Sequence, residues 1–239
     1  MPILSKEVRK ELAKLVEYEL EANRPKTYRS AWSGYEDCPK QYWYSYVEGL
    51  PGFRPPSPAA NRGSDIHTAA EEYLKGVRKI YPPELQKVSA HAMLLKQKKA
   101  QSELKLAVTD KWEPCDYKDP DAYLRGIVDI LYPEDEHVHI QDWKTGQIYP
   151  GHATQMENYV AITAAHFPKA THFITRLVYI DQGLVTIPKR TEVARLKPIR
   201  MLMDGRIKNA EDDTIFPVQP GQACKWCNYS KKYGGPCQY

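Results

Sequence analysis

LRGIVDIL (residues 124–131) and HVHIQDWK (137–144) decide how this chain folds. Both are strand-like, alternating with a period of two, and the charged YPEDEH (132–137) between them reads as a turn. If that turn centres between Asp135 and Glu136, residues whose numbers sum to 271 face each other across the hairpin. Asp129 then stands opposite Asp142, and opposed residues of an antiparallel pair share a face with Cβ atoms about 5 Å apart. Lys144, two residues past Asp142, points to the same face.

Outward from the hairpin, GHATQMENYVAITAAHF (151–167) reads as a helix. HFITRLVYI (172–180) and LVTI (184–187) form a second hairpin around Asp181-Gln-Gly183. Upstream, Val8, Leu12, Leu15, Val16 and Leu20 recur at helical spacing, giving a helix over 5–22 that Asn23-Arg-Pro25 stops. A short helical stretch follows over 32–46, and another over 64–80 with Ser64 as its cap and Pro82-Pro83 as its terminator. PGFRPPSPAANRG (51–63) is a surface loop, and residues 84–108 read as a long amphipathic helix with a basic middle, KQKKAQ. A last helical region begins near Thr191, is disturbed by Pro198, and ends before a cysteine-bearing tail. Strand hairpin, helix and strand with helices in front make a mixed α/β chain.

The chain has 239 residues, 42% hydrophobic and 27% charged, a globular balance that excludes a disordered or collagen-like protein. No apolar run approaches ~18 residues, so no membrane span is expected. The stretch MPILSKEVRKELAK lacks the apolar core of a secretory signal, so an intracellular, cytoplasmic protein is expected. A net charge of +4 permits a polyanionic partner without requiring one. Of five cysteines, Cys224, Cys227 and Cys237 cluster near the end, Cys38 lies far upstream, and Cys115 stands alone. In a reducing compartment a CxxC pair reads as metal-binding or redox-active. Gly234-Gly235-Pro236 fits a tight turn back to a metal held there.

Two carboxylates as close as Asp129 and Asp142 repel unless a cation sits between them. Mg²⁺ and Mn²⁺ favour carboxylates, carbonyls and water, and the main-chain carbonyl of Trp143 offers a further ligand. Lys144 would then bear on the metal-bound water or on a phosphate. A plain surface ion-pair cluster is the competing reading of the same spacing. His67, in RGSDIHTAAE (62–71), lies beside an apolar stripe of Ile66, Ala70, Tyr73 and Val77. As a ligand its other nitrogen would be held by Glu71 or a neighbour, and an imidazole tilts preference towards Mn²⁺. Gln155 and Tyr159, one helical turn apart, present a polar edge towards the strand ends.

These residues carry a resemblance. GIVDIL, QDWKTG and QMENY resemble the nuclease motifs of the PD-(D/E)XK superfamily in its RecB-like branch, and RGSDIH resembles that branch's upstream histidine motif. SAWSGYEDCPKQYWYSYVEGL (30–50) and CKWCNYSKKYGGPC (224–237) are similar to its opening segment and its terminal three-cysteine motif. The four-cysteine members most similar are the CRISPR-associated exonucleases and the nuclease domains of AddB-type helicase–nucleases. The resemblance implies a restriction-endonuclease-like α/β core, a mixed central sheet flanked by helices, with N-terminal helices and a C-terminal cysteine cluster. It implies one nuclease domain over 1–239, with a helical region over 1–108, a catalytic core over 109–188, and a helix and cluster over 189–239. It carries the metal-ligand role onto His67, Asp129 and Asp142, the catalytic-lysine role onto Lys144, and a supporting role onto Gln155 and Tyr159. It favours 4Fe–4S over zinc at Cys38, Cys224, Cys227 and Cys237. The expected activity is Mn²⁺- or Mg²⁺-dependent hydrolysis of DNA phosphodiesters, by an exonuclease on single-stranded or end-containing DNA. Basic residues of 189–208, among them Arg190, Arg195, Arg200 and Arg206, could follow the backbone of that DNA. The rivals are a non-catalytic DNA-binding factor that keeps the fold and a zinc-stabilised adaptor whose cysteine tail is the functional element.

Overall fold

The computed structural model describes residues 32–120, 122–149 and 151–239. The helix expected over 5–22 lies outside them. They divide into two compact units, one of the chain up to Arg54 with Asp213–Tyr239, the other Pro55–Asp212.

The larger unit is a seven-stranded sheet with helices packed on it. Its strands are β1 (Gln101–Val108), β2 (Pro114–Cys115), β3 (Leu124–Glu134), β4 (His137–Lys144), β5 (His172–Tyr179), β6 (Leu184–Val185) and β7 (Lys189–Glu192). The order is β2-β1-β3-β4-β5-β6, with β7 also on β5. All pairings are antiparallel except β4 with β5, which run parallel and are joined by a helix over Gly151–His166, as a parallel pair requires.

The central hairpin has the expected register: Ile130 faces Gln141 and Leu131 faces Ile140. The turn is tighter than expected. Tyr132, Pro133 and Glu134 stay in β3, and only Asp135 and Glu136 connect the strands. Asp135 takes a left-handed φ of 52°, which an Asp tolerates better than most residues.

Three helical readings need correction. The helix that carries His67, α3, spans Pro58–Leu74, after α1 (Trp32–Asp37) and α2 (Pro39–Tyr42). Its cap is Ser57, whose Oγ accepts the Ala60 N–H at 3.2 Å with Pro58 in the first turn, not Ser64. It ends at Leu74, so Ile66, Ala70 and Tyr73 are buried while Val77, beyond the end, is 72% exposed. The long helix over 84–108 does not form. A 3₁₀ stretch (Pro83–Val88) and α4 (Ser89–Gln97) end at a turn where Lys99 has φ 52°, and Gln101–Val108 becomes β1. Pairing with β3 along its whole length outweighs the helix-forming Leu, Lys and Glu there. After β6 the chain first adds β7; α6 then runs Leu196–Asp212, with Pro198 harmless in its first turn. The Gly151–His166 helix is α5.

α3, the 3₁₀ stretch and α4 bury Ile66, Ala70, Leu85, Ala92 and Leu95 against Ile130, Trp143, Val178 and Ile180 of the sheet region. A polar strip runs beside this core. His91 Nε2 lies 2.6 Å from Gln141 Oε1, and His139 stacks on Tyr132 with ring centroids 4.4 Å apart. Burial lowers the pKa of both histidines. In the unfolded chain they titrate near ~6.5, so below that pH the unfolded state takes up protons that the folded state refuses, and stability is lost. As pH drops from about 7 to 5, the thermal midpoint of His91→Gln is therefore expected to gain on that of wild type, since every other titrating group is shared by the two proteins. Equal slopes in a melting series across that range would refute the assignment.

In the smaller unit, α1 and α2 lead into a π-helical turn, Trp43–Val47. Tyr42 is buried, with Phe216 stacked on it at 6.3 Å and Tyr35 edge-on at 5.6 Å. Buried Tyr229 satisfies its hydroxyl by donating to Leu50 O and accepting from Ser45 Oγ.

Candidate active site and metal centre

The β3–β4 hairpin delivers the two acids. Beyond the Ile130–Gln141 pair the ladder gives way to a side-chain contact, in which the Trp143 N–H donates to Asp129 Oδ2 at 2.8 Å. Asp129 is 7% exposed and Asp142 1%. Lys144 Nζ sits 2.6 Å from Asp142 Oδ2 and donates to Gln155 Oε1 at 2.7 Å. Gln155 Nε2 in turn donates to the Tyr159 hydroxyl at 2.9 Å. Asp142, Lys144, Gln155 and Tyr159 thus form one polar chain from β4 to α5. Helical spacing alone explains why Gln155 and Tyr159 meet.

His67 comes from α3. Its Nδ1 lies 3.5 Å from Asp129 Oδ2 and 3.9 Å from Glu103 Oε1. Glu71, expected as its possible support, pairs with Lys75 instead. Glu103 is the residue that reading the sequence misses. It lies on β1, where Ser102 pairs with Ile130 and Leu104 with Val128, so the register sets Glu103 opposite Asp129. Its φ of 53° is left-handed, uncommon for a residue other than Gly, Asn or Asp. A strand reading of QSELKL would have found it.

Donor atoms of His67, Glu103 and Asp129 all lie within 4.8 Å of one another. Asp142 is not in that set; its carboxylate is turned to Lys144. The backbone N–H of Trp143 is engaged by Asp129, and its side chain is buried. His67, Glu103, Asp129, Thr145 and Tyr159 line one groove of about 590 Å³.

The electrostatics fit a cation. Burial pushes the carboxyl pKa values of Glu103, Asp129 and Asp142 above the usual range. The charge of Asp142 raises Asp129 further, while Lys144 opposes the rise at Asp142. Burial, with both aspartates nearby, also holds the Tyr159 phenol above its ordinary value. Oxygen donors with one imidazole suit Mg²⁺ or Mn²⁺, and such an ion would offset the cost of burying these carboxylates and, at Asp129, the repulsion from Asp142.

The basic segment behaves unevenly. Arg190 and Arg195 are exposed. Arg200 is held by Ala161 O at 3.2 Å and lies over the Trp112 ring, so it serves packing rather than an open surface.

In the smaller unit Cys38, Cys224, Cys227 and Cys237 line one pocket, although Cys38 is nearly two hundred residues from the rest. Backbone N–H groups of Gly221 and Tyr229 point at the sulfurs of Cys224 and Cys227, each at 3.4 Å. Cys115 lies on β2, outside this group.

A family model of the PD-(D/E)XK nuclease superfamily matches residues 29–231. Among solved structures, a "Putative exonuclease" from Eubacterium rectale is similar at 16% identity, over 95% of this chain and 94% of that one, with a TM-score of 0.52. The crystal structure of SSO0001 matches at 15% identity over 84% and 81% of the two chains, with a TM-score of 0.40. No curated protein matches the sequence.

Proposed function

Because the chain belongs to the PD-(D/E)XK nuclease superfamily, we propose that it is a metal-dependent DNA nuclease of the RecB-like, four-cysteine branch, acting on single-stranded or end-containing DNA. The two units act together as one nuclease domain in this reading, and the family match across both supports it. The observation that carries the reading is the convergence on one sheet region of a buried acid pair, a lysine on the second acid, and a histidine–glutamate–aspartate donor set.

His67, Glu103 and Asp129 would hold the ion, with Asp142 beside them. A bound Mn²⁺ or Mg²⁺ supplies Lewis-acid polarisation and a water of lowered pKa. Lys144 is held by Asp142 and Gln155, so its ammonium is pre-aimed at the place where phosphate charge develops, with no reorganisation during the reaction. Tyr159 fixes Gln155 and so fixes the lysine from the far side. Exposed Arg190 and Arg195 could bind the nucleic-acid backbone.

The cysteine pocket is read as a structural 4Fe–4S site. Its four sulfurs, one from the start of the described chain and three from the tail, line one pocket, as a four-thiolate cluster needs. The N–H···S contacts at Cys224 and Cys227 are of the kind that tune such clusters. Thiols serving as ligands suit an intracellular setting, and no described helix is long and apolar enough to cross a membrane.

The test is digestion of end-labelled linear single-stranded DNA, linear duplex, closed circular DNA and RNA with Mn²⁺, Mg²⁺ or EDTA. Mn²⁺-dependent loss of linear single-stranded DNA is expected. A folded, metal-supplied protein that leaves every substrate intact would sink the nuclease reading.

A further inference from the structure

Lys144 ends β4, and what holds the chain just after it has no role so far. Gly146 takes a left-handed φ of 79°. Its N–H donates to Asp181 Oδ2 at 2.7 Å, and its carbonyl accepts from Gln182 Nε2 at 2.5 Å. The Ile180 N–H donates to Lys144 O at 2.9 Å. The β5–β6 turn therefore grips both ends of the Lys144–Gly146 segment. Asp181 is itself gripped by α3. Arg62 meets it with both guanidinium nitrogens, Nη1 to Oδ2 at 3.0 Å and Nη2 to Oδ1 at 2.5 Å. Lys87 Nζ donates to the Asp181 carbonyl at 2.6 Å. Arg62 and the Gly146 N–H hold the Asp181 carboxyl below the usual range, so it is ionised at neutral pH.

Arg62 precedes His67 by little more than one turn of α3. The next residue, Gly63, lies so near the catalytic strand's exit that a Cβ there would be 3.1 Å from Thr145 Oγ1. One aspartate thus connects the helix that carries His67 to the strand end that carries Asp142 and Lys144. We infer that Asp181 is a positioning residue of the nuclease site: it latches the Thr145–Gly146 turn to α3 and so sets the distance between Lys144 and the His67–Glu103–Asp129 donor set. The inference rests on the nuclease reading of that site.

A purely structural ion pair would behave differently. Arg62 is more than half exposed, and exposed pairs contribute little to global stability. Misplacing a reacting group by about 1 Å can cost a hundredfold in rate. The latch therefore predicts a large rate effect with a small stability effect.

The experiment compares wild type, Asp181→Ala, Asp181→Asn and Arg62→Ala in the full chain. It reads kcat and KM on a short single-stranded oligonucleotide with Mn²⁺, Mn²⁺ affinity by calorimetry, thermal midpoint, and hydrogen exchange of the peptide spanning 144–149. Asp181→Ala should lower kcat by about 10- to 100-fold, with KM and Mn²⁺ affinity little changed and exchange at Gly146 faster. Asp181→Asn keeps an acceptor for the Gly146 N–H and should recover some of the rate, while Arg62→Ala should fall between. An Asp181→Ala protein with wild-type kcat, or with unchanged exchange over 144–149, overturns the latch. If that variant fails to fold, Asp181→Asn and Arg62→Ala decide by the same readouts. If wild type cleaves nothing, the nuclease reading fails on its own. The exchange result then judges the latch alone: faster at Gly146 keeps it, unchanged removes it.

Discussion

Lys144→Ala should lower the rate of DNA cleavage by about a thousandfold, while binding of the oligonucleotide changes little. Two features make the effect large. The ammonium is fixed by two partners, Asp142 at 2.6 Å and Gln155 at 2.7 Å, so its orientation is established before substrate arrives. It also lies in a half-buried setting, where a preorganised charge is stabilised less by water and acts more strongly on developing phosphate charge. Lys144→Arg should not rescue, because a planar guanidinium cannot replace a compact ammonium between a carboxylate and an amide. Removing the lysine also leaves Asp142, 1% exposed, without its cation. Breaking one side of a buried pair costs about 3–5 kcal/mol unless the orphaned group is neutralised. The thermal midpoint of Lys144→Ala should therefore drop, and added Mn²⁺ should raise it by more than it raises that of wild type. Single-turnover cleavage and melting curves with and without Mn²⁺ measure both effects. Wild-type cleavage in Lys144→Ala would remove Lys144 from the chemistry, whatever the melting curves show.

The hairpin that carries this site was legible because its two signals are local: period-two alternation on both sides, and a short charged turn that sets the register. The 271 sum holds at Ile130–Gln141 and Leu131–Ile140. β1 was illegible for the opposite reason. QSELKL contains good helix formers, and only its partner strand turns it into a strand, so Glu103 was lost with it. The start of α3 was legible in principle, since Ser57-Pro58 is a stronger start signal than Ser64 inside the helix. β7 has only Thr191 buried among four residues, too short a pattern to read. Arg62 and Asp181 lie 119 residues apart and meet only through the packing of α3 beside the β5–β6 turn, which no local pattern encodes. The cysteine grouping was reached through resemblance, because spacing alone cannot bring Cys38 to the tail.

Gly235→Ala is expected to be the most disruptive single substitution in the cysteine-bearing unit. A Cβ at this position would stand 2.3 Å from Tyr229 O, 2.4 Å from Tyr229 C and 2.7 Å from Tyr229 Cα. All three are main-chain atoms, so no side-chain rotation can relieve the clash. The backbone there is pinned on both sides. The Gly235 N–H donates to Ser230 O, the Cys237 N–H to Tyr229 O at 2.9 Å, and the Lys231 N–H to Cys237 O at 2.8 Å. Tyr229 cannot retreat either, since it is 3% exposed and its hydroxyl is tied to Leu50 and Ser45. Overpacking a tight site costs about 1–3 kcal/mol where side chains can shift, and more where backbone must. The relief open to the variant is to release the 234–237 turn, which takes Cys237 out of the pocket it shares with Cys38, Cys224 and Cys227. Metal binding and folding are coupled where ligands come from distant segments of a chain, so losing one ligand should cost both. Anaerobically purified Gly235→Ala should therefore carry less than about half the wild-type iron, show weaker visible absorbance, and melt earlier. Its effect should match that of Cys237→Ser, and the two changes combined should be no worse than either alone, because they remove the same ligand. A Gly235→Ala protein with full iron content and an unshifted melting curve would mean that the turn at 234–237 does not hold Cys237 in place. Wild-type protein that is colourless and carries one zinc per chain would overturn the iron–sulfur reading, yet Gly235→Ala should still lose that zinc, since the clash is with backbone and does not depend on which metal the thiolates hold.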